Sequence, residues 1–199
     1  MKNDLISQSS EFDCGPTSLV NAIRFLYERE EVPPAVLKHI WAMGNDTFNE
    51  QGHPGKHGTS KASMRYMAEW LNAFGRGCGF PIRARFLELD GAVITPGGDV
   101  WACLTRGGCA VMRCHSGGYG HYVLLTAILS ETELGLFDPY DEEPEPHEEP
   151  WRCVADEPKR MNRAVDLSVM NRFDKADYAM GKREEREILL VERGETHEA

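Results

Sequence analysis

The chain has 199 residues, 41% of them apolar and 27% charged, a balance that suits one soluble globular domain spanning residues 1–199 with a proper core. A formal net charge of -10 argues against nucleic acid or an anionic membrane surface as the main partner, because phosphate binding needs clustered Lys and Arg, and here they are scattered among acids. No apolar run approaches the roughly 20 residues of a membrane span, and the start Met1-Lys2-Asn3-Asp4-Leu5-Ile6 has no signal-peptide core, so the expected location is cytoplasmic.

A short arm leads to Asp13. The spacing of Leu19, Val20, Ala22, Ile23, Leu26 and Tyr27 then predicts a helix from Cys14 to about Glu30 with one apolar face, its end solvated at Glu28 to Glu31. Cys14 therefore opens a helix, where unpaired N–H groups and the positive end of the macrodipole favour a thiolate, the form that attacks a carbonyl. Gln8, one short loop upstream, offers an amide donor for the same carbonyl oxygen. Pro33 and Pro34 open a second helix with Val36, Leu37, Ile40 and Trp41 as apolar positions and Gly44 as its stop, forming a hairpin with the first.

Asn45 to Gly58 has no periodicity and reads as a solvated loop near a cleft rim; His53 and His57 are four apart, but Pro54-Gly55 forbids the helix that would aim both at one metal. Thr59 or Ser60 caps a third helix with a stripe of Met64, Met67, Ala68, Leu71 and Phe74, ended by Gly75 to Gly79. Ile82 to Leu89 alternates as a half-exposed strand does, Asp99 to Thr105 reads as a helix, and Gly107-Gly108 as a turn.

Strands follow from Cys109 to Cys114 and from His121 to Leu129, joined by Ser116-Gly117-Gly118-Tyr119-Gly120, with His115 on that loop as the rival base to His121. The next strand, Leu134 to Phe137, ends in Asp138. If it pairs antiparallel with the strand that His121 opens, the His and the Asp fall at the same end of the sheet. A carboxylate there fixes the imidazole tautomer, and the imidazole can take the thiol proton and return it to the leaving group. Asp141 to Pro150 is an acidic, proline-interrupted surface loop, and Glu187 to Glu192 reads as a late strand.

The six cysteines at 14, 78, 103, 109, 114 and 153 follow no short-spaced framework and read as free thiols. Cys109, Cys114, His115 and His121 match no paired-cysteine zinc pattern, and the two cysteines read as small hydrophobes in a sheet, so no metal is expected. Without a glycine-rich phosphate motif or a dinucleotide fingerprint, no cofactor is expected either.

Gln8, Cys14-Gly15-Pro16-Thr17-Ser18-Leu19, Gly120-His121-Tyr122-Val123-Leu124 and Asp138-Pro139-Tyr140, taken as ordered landmarks, resemble the papain-like cysteine peptidases of the bacteriocin-processing, double-glycine-leader type and their stand-alone relatives. The resemblance implies an α+β papain-like fold: a helical half, an antiparallel sheet half and a cleft between them. It implies Cys14 as nucleophile, His121 as general base, Asp138 as the residue orienting it and Gln8 as the oxyanion-hole glutamine. The expected function is a cysteine peptidase or amide hydrolase working through an acyl-thioester on a peptide or amide substrate. Acyl or peptidyl transfer by the same residues is the alternative within enzymes, and a peptide-binding module that has lost catalysis is the alternative outside them. No residue pattern specifies an oligomeric state.

Overall fold

The computed structural model describes residues 3–140 and 151–194, so the acidic Asp141 to Pro150 stretch lies outside the described residues. The architecture is mixed α and β. Helices α1 (Cys14–Leu26), α2 (Pro34–Gly44) and α3 (Lys61–Cys78) precede strand β1 (Ile82–Glu88), helix α4 (Asp99–Thr105) and strands β2 (Cys109–Ser116), β3 (Tyr119–Ile128) and β4 (Glu133–Phe137). Strands β5 (Trp151–Cys153) and β6 (Arg163–Asp166), a single turn α5 (Leu167–Met170) and β7 (Glu187–Arg193) complete the described elements. The strands form one antiparallel seven-stranded sheet in the order β1-β7-β2-β3-β4-β6-β5.

Side chains of alternate strand residues separate the interior into two cores, one on each face of the sheet. Cys109, Val111, Tyr122, Leu124, Leu189 and Val191 pack with α1, α2 and α3. Their strand neighbours Ala110, Met112, Cys114, Val123, Leu125, Ile188 and Leu190 pack with α4, α5 and the segment around Ile94. A strand buried on both faces reads as a continuous apolar run rather than an alternation, and β3 and β7 carry such runs.

Helix α1 departs from the single apolar face expected for it. Every residue of it except Arg24 is buried, because β3 and β2 lie against one side, α2 against another and the N-terminal arm against a third. Asn21 clamps that arm, its Oδ1 accepting from the Ile6 N–H at 2.9 Å and its Nδ2 donating to the Ile6 carbonyl at 2.9 Å. Truncating Ile23, fully packed in this helix, to alanine would cost about 2–5 kcal/mol. The helix also ends earlier than Glu30: it stops at Leu26, and a separate 3-10 turn over Arg29–Glu31 follows. In that turn Glu31 accepts from the Glu28 N–H and from Arg193, which fixes the connection to the end of β7.

Other boundaries follow their local chemistry. Pro34 opens α2, Ser60 caps α3 by accepting from the Ser63 N–H at 3.1 Å, and Gly79 closes α3 in the left-handed region at φ 68°. The β2–β3 hairpin is longer than the apolar runs implied, since Ser116 pairs with Tyr119 across Gly117 and Gly118, whose φ values of 56° and 81° suit a two-residue turn. His115 consequently lies on β2 rather than on a loop. Among the described residues no helix is long and apolar enough to cross a membrane.

Candidate active site

The nucleophile candidate is placed by α1. Ser18, one turn after Cys14, donates its hydroxyl to the Tyr122 carbonyl at 3.0 Å, and both groups are buried, so the helix start is tied to β3 one residue beyond His121. Asp13 occupies the N-cap position but makes no capping bond. Its carboxylate instead accepts from Asn45 Nδ2 at 2.9 Å and from Ser9 Oγ at 2.8 Å, leaving the first-turn N–H groups beside Cys14 free of a side-chain cap.

Close packing holds the same corner from outside. A methyl added to Gly15 would meet Thr59 Oγ1 at 2.0 Å, and one added to Gly44 would meet Pro16 Cβ at 2.6 Å. The loop expected to be merely solvated is therefore braced against the start of α1 at both of its ends. Its middle folds on itself through a Phe48 to Pro54 bridge and a Thr47 to Gly58 hydrogen bond of 2.7 Å.

His121 and Asp138 come together at one end of the sheet. His121 stands opposite Cys114 in the β2–β3 register, β4 pairs antiparallel with β3, and His121 Nε2 donates to Asp138 Oδ1 at 2.7 Å with both side chains buried. That bond leaves Nδ1 as the second ring nitrogen, and Cys14 lies near enough to the imidazole to favour its charged form. Burial works against the charged imidazole, but the Asp138 charge and hydrogen bond, with Cys14 next, outweigh it and raise His121 to about 10. Burial likewise opposes charge on Asp138, yet the His121 cation and the donors around the carboxylate hold it below its ordinary value.

Asp138 is also bonded to Tyr140 of the quoted motif and to two residues that the sequence reading did not single out, Asn162 and Tyr178. Asn162 grips its backbone, Oδ1 accepting from the Asp138 N–H at 2.7 Å and Nδ2 donating to the Asp138 carbonyl at 2.8 Å. The Tyr140 N–H donates to Asp138 Oδ1 at 2.9 Å, and the Tyr178 hydroxyl donates to Oδ2 at 3.0 Å. Asn162 and Tyr178 lie in short, aperiodic stretches, so no spacing marked them; only the Asp138-Pro139-Tyr140 motif touched this group in advance.

Gln8 is brought to the same place by the arm: its N–H donates to the Pro139 carbonyl at 2.8 Å, next to Asp138. Its side-chain Nε2 donates one hydrogen to the Ser10 carbonyl at 2.8 Å, which fixes the amide orientation and leaves the second hydrogen of that NH2 unassigned. His115, the rival base, is turned elsewhere. It is buried, its Nδ1 donates to the Ala179 carbonyl at 3.1 Å, and its Nε2 stands 3.8 Å from Glu185. Cys109 and Cys114 point into opposite cores, so the four-residue zinc grouping does not converge.

A groove of about 740 Å³ lies away from this constellation, at the other end of the sheet where β1 starts and β7 ends. Arg76 and Arg106 on its wall sit at the C-terminal ends of α3 and α4, where cations complement the helix dipoles. No protein-family model and no curated protein sequence matches the chain.

Proposed function

We propose that the protein is a cysteine peptidase or amide hydrolase of papain-like fold, related to the bacteriocin-processing, double-glycine-leader peptidases. The observation that carries this reading is one buried imidazole whose Nε2 is held 2.7 Å from a carboxylate, with a thiol at a helix start nearby. Cys14 attacks the scissile carbonyl, and the carbonyl oxygen becomes an anion that the Cys14 N–H and the second side-chain N–H of Gln8 stabilise. His121 then protonates the leaving amine from Nδ1, while Asp138 keeps Nε2 protonated and the ring aligned. The acyl-thioester left on Cys14 is resolved by water activated at the same Nδ1.

The test is incubation of the purified protein with a peptide-amide library, with intact-mass detection of an acyl adduct. An adduct on Cys14 that is lost in Cys14→Ala supports the reading; a processed library with no dependence on Cys14 or His121 sinks it. Adding a primary amine separates hydrolysis from transfer, since a transferase would yield the amide of that amine in place of the free acid.

A further inference from the structure

We propose that Tyr178 is a positioning residue of the catalytic group, its hydroxyl fixing the plane of the Asp138 carboxylate that in turn holds His121; the proposal rests on the peptidase reading above. The two carboxylate oxygens have separate donors. Oδ1 receives His121 Nε2 at 2.7 Å and the Tyr140 N–H at 2.9 Å, whereas Oδ2 receives the Tyr178 hydroxyl at 3.0 Å. Donors on one oxygen alone allow the group to swing about its Cβ–Cγ bond, which is a soft two-fold torsion. A donor on the second oxygen fixes that swing, and with it the direction in which the imidazole is held.

The backbone at Tyr178 is built for this contact. Its φ is 63°, in the left-handed region that a bulky side chain seldom enters, and among the described residues Leu89 is the other non-glycine with positive φ. The surroundings hold it there. The Tyr178 N–H donates to the His115 carbonyl at 2.8 Å, the His115 N–H donates to the Ala179 carbonyl at 2.9 Å, and the His115 ring donates to that same carbonyl. The buried histidine that looked like a rival base thus anchors the turn that delivers Tyr178. Trp151 closes the other side with its ring edge-on at 5.1 Å.

Burial, reinforced by the Asp138 charge, pushes the Tyr178 phenol up, so it stays protonated and donates at every ordinary pH. The charged or titratable groups facing this pair are His121 on β3, Cys114 on β2 and Arg163 on β6. Cys114 is pushed well up by burial and stays neutral. A donor to a carboxylate favours its charged form, so removing it lets Asp138 take up a proton at higher pH and release His121 sooner on acidification.

The experiment follows the downfield Nε2–H resonance of His121 by NMR through an acid titration, alongside the pH profile of amide turnover. In Tyr178→Phe the midpoint at which the resonance collapses should move up by roughly half a unit to one unit, the size of one ordinary hydrogen bond. The acid limb of turnover should move with it while KM stays near native. In 3-fluorotyrosine placed at position 178 by nonsense suppression, a stronger donor of nearly native size, the midpoint should move down. This second variant decides the matter if the phenylalanine protein does not fold. In an Asp138→Asn background the phenylalanine change should leave the remaining pH profile where it was.

A midpoint unmoved in the fluorinated protein, or the same acid-limb shift without the Asp138 carboxylate, would overturn the proposal. The resonance reports on Asp138 and His121 whether or not the protein turns over an amide. An inactive wild type with the predicted shifts would therefore sink the peptidase reading alone.

Discussion

The N–H of Gln8 donates to the carbonyl of Pro139, so the arm ahead of Cys14 is bonded to the residue just after Asp138. Gln8 is carried to the site by a backbone bond that its side chain does not make. Gln8→Ala should therefore fold with a near-native melting temperature and lose about 10²–10³ in turnover, the usual loss for one oxyanion donor. Unchanged turnover would place its amide outside the oxyanion hole.

Cys14 should be the first cysteine alkylated by iodoacetamide, because it opens a helix beside the His121 imidazole. Cys78 and Cys153 are exposed and sterically easier, while burial holds Cys103 up at about 12 and Cys114 higher than an ordinary thiol. Peptide mapping by mass spectrometry reads the order directly. Labelling of Cys78 or Cys153 ahead of Cys14 would show that the His121 cation does not activate it.

The His121 and Asp138 pair should give the fold a bell-shaped pH dependence. His121 is raised from 6.5 to about 10, so its contribution is complete below pH 6.5 and fades as pH rises through 10. Asp138 is lowered from 3.8, so its contribution is complete above pH 3.8 and is lost as pH falls through its lower folded value. The gap in melting temperature between the native protein and Asp138→Asn should be widest between these limits and close on both sides. A gap that keeps widening above pH 8 would contradict the ion pair.

A chain ended after Asp166 should lose cooperative unfolding altogether. It lacks β7, which lies between β1 and β2 and contributes Ile188, Leu189, Leu190 and Val191 to both cores. The loss would expose the edges of two neighbouring strands at once. A sharp calorimetric transition near the native temperature would show the segment after Asp166 to be dispensable.

The positions of α2, α3, α4, β1 and β7 were legible because each is bounded by local chemistry: a proline at the start, a serine cap, a glycine stop, or a strict apolar run. Cys14, His121 and Asp138 were legible because strand order alone brings the last two to one end of a sheet. What escaped was decided by long-range packing. The burial of α1 on nearly every side depends on three layers that meet only in the fold, and β5 and β6 are too short to show a period. Tyr178 has no pattern around it, since its place is set by a turn bonded to His115, more than sixty residues away in the chain. His115 itself moved from loop to strand because two glycines with positive φ allow the hairpin to stay paired to its tip.

The central place of β7 also orders events on the ribosome. Strand β1 and the ribbon of β2, β3 and β4 emerge well before the strand that joins them. A nascent chain thus displays Cys14, His121 and Asp138 while the two parts of the sheet are still separate, and long-range pairing of this kind forms slowly. The frame that aligns the thiol, the imidazole and the carboxylate closes only when Glu187–Arg193 has been made.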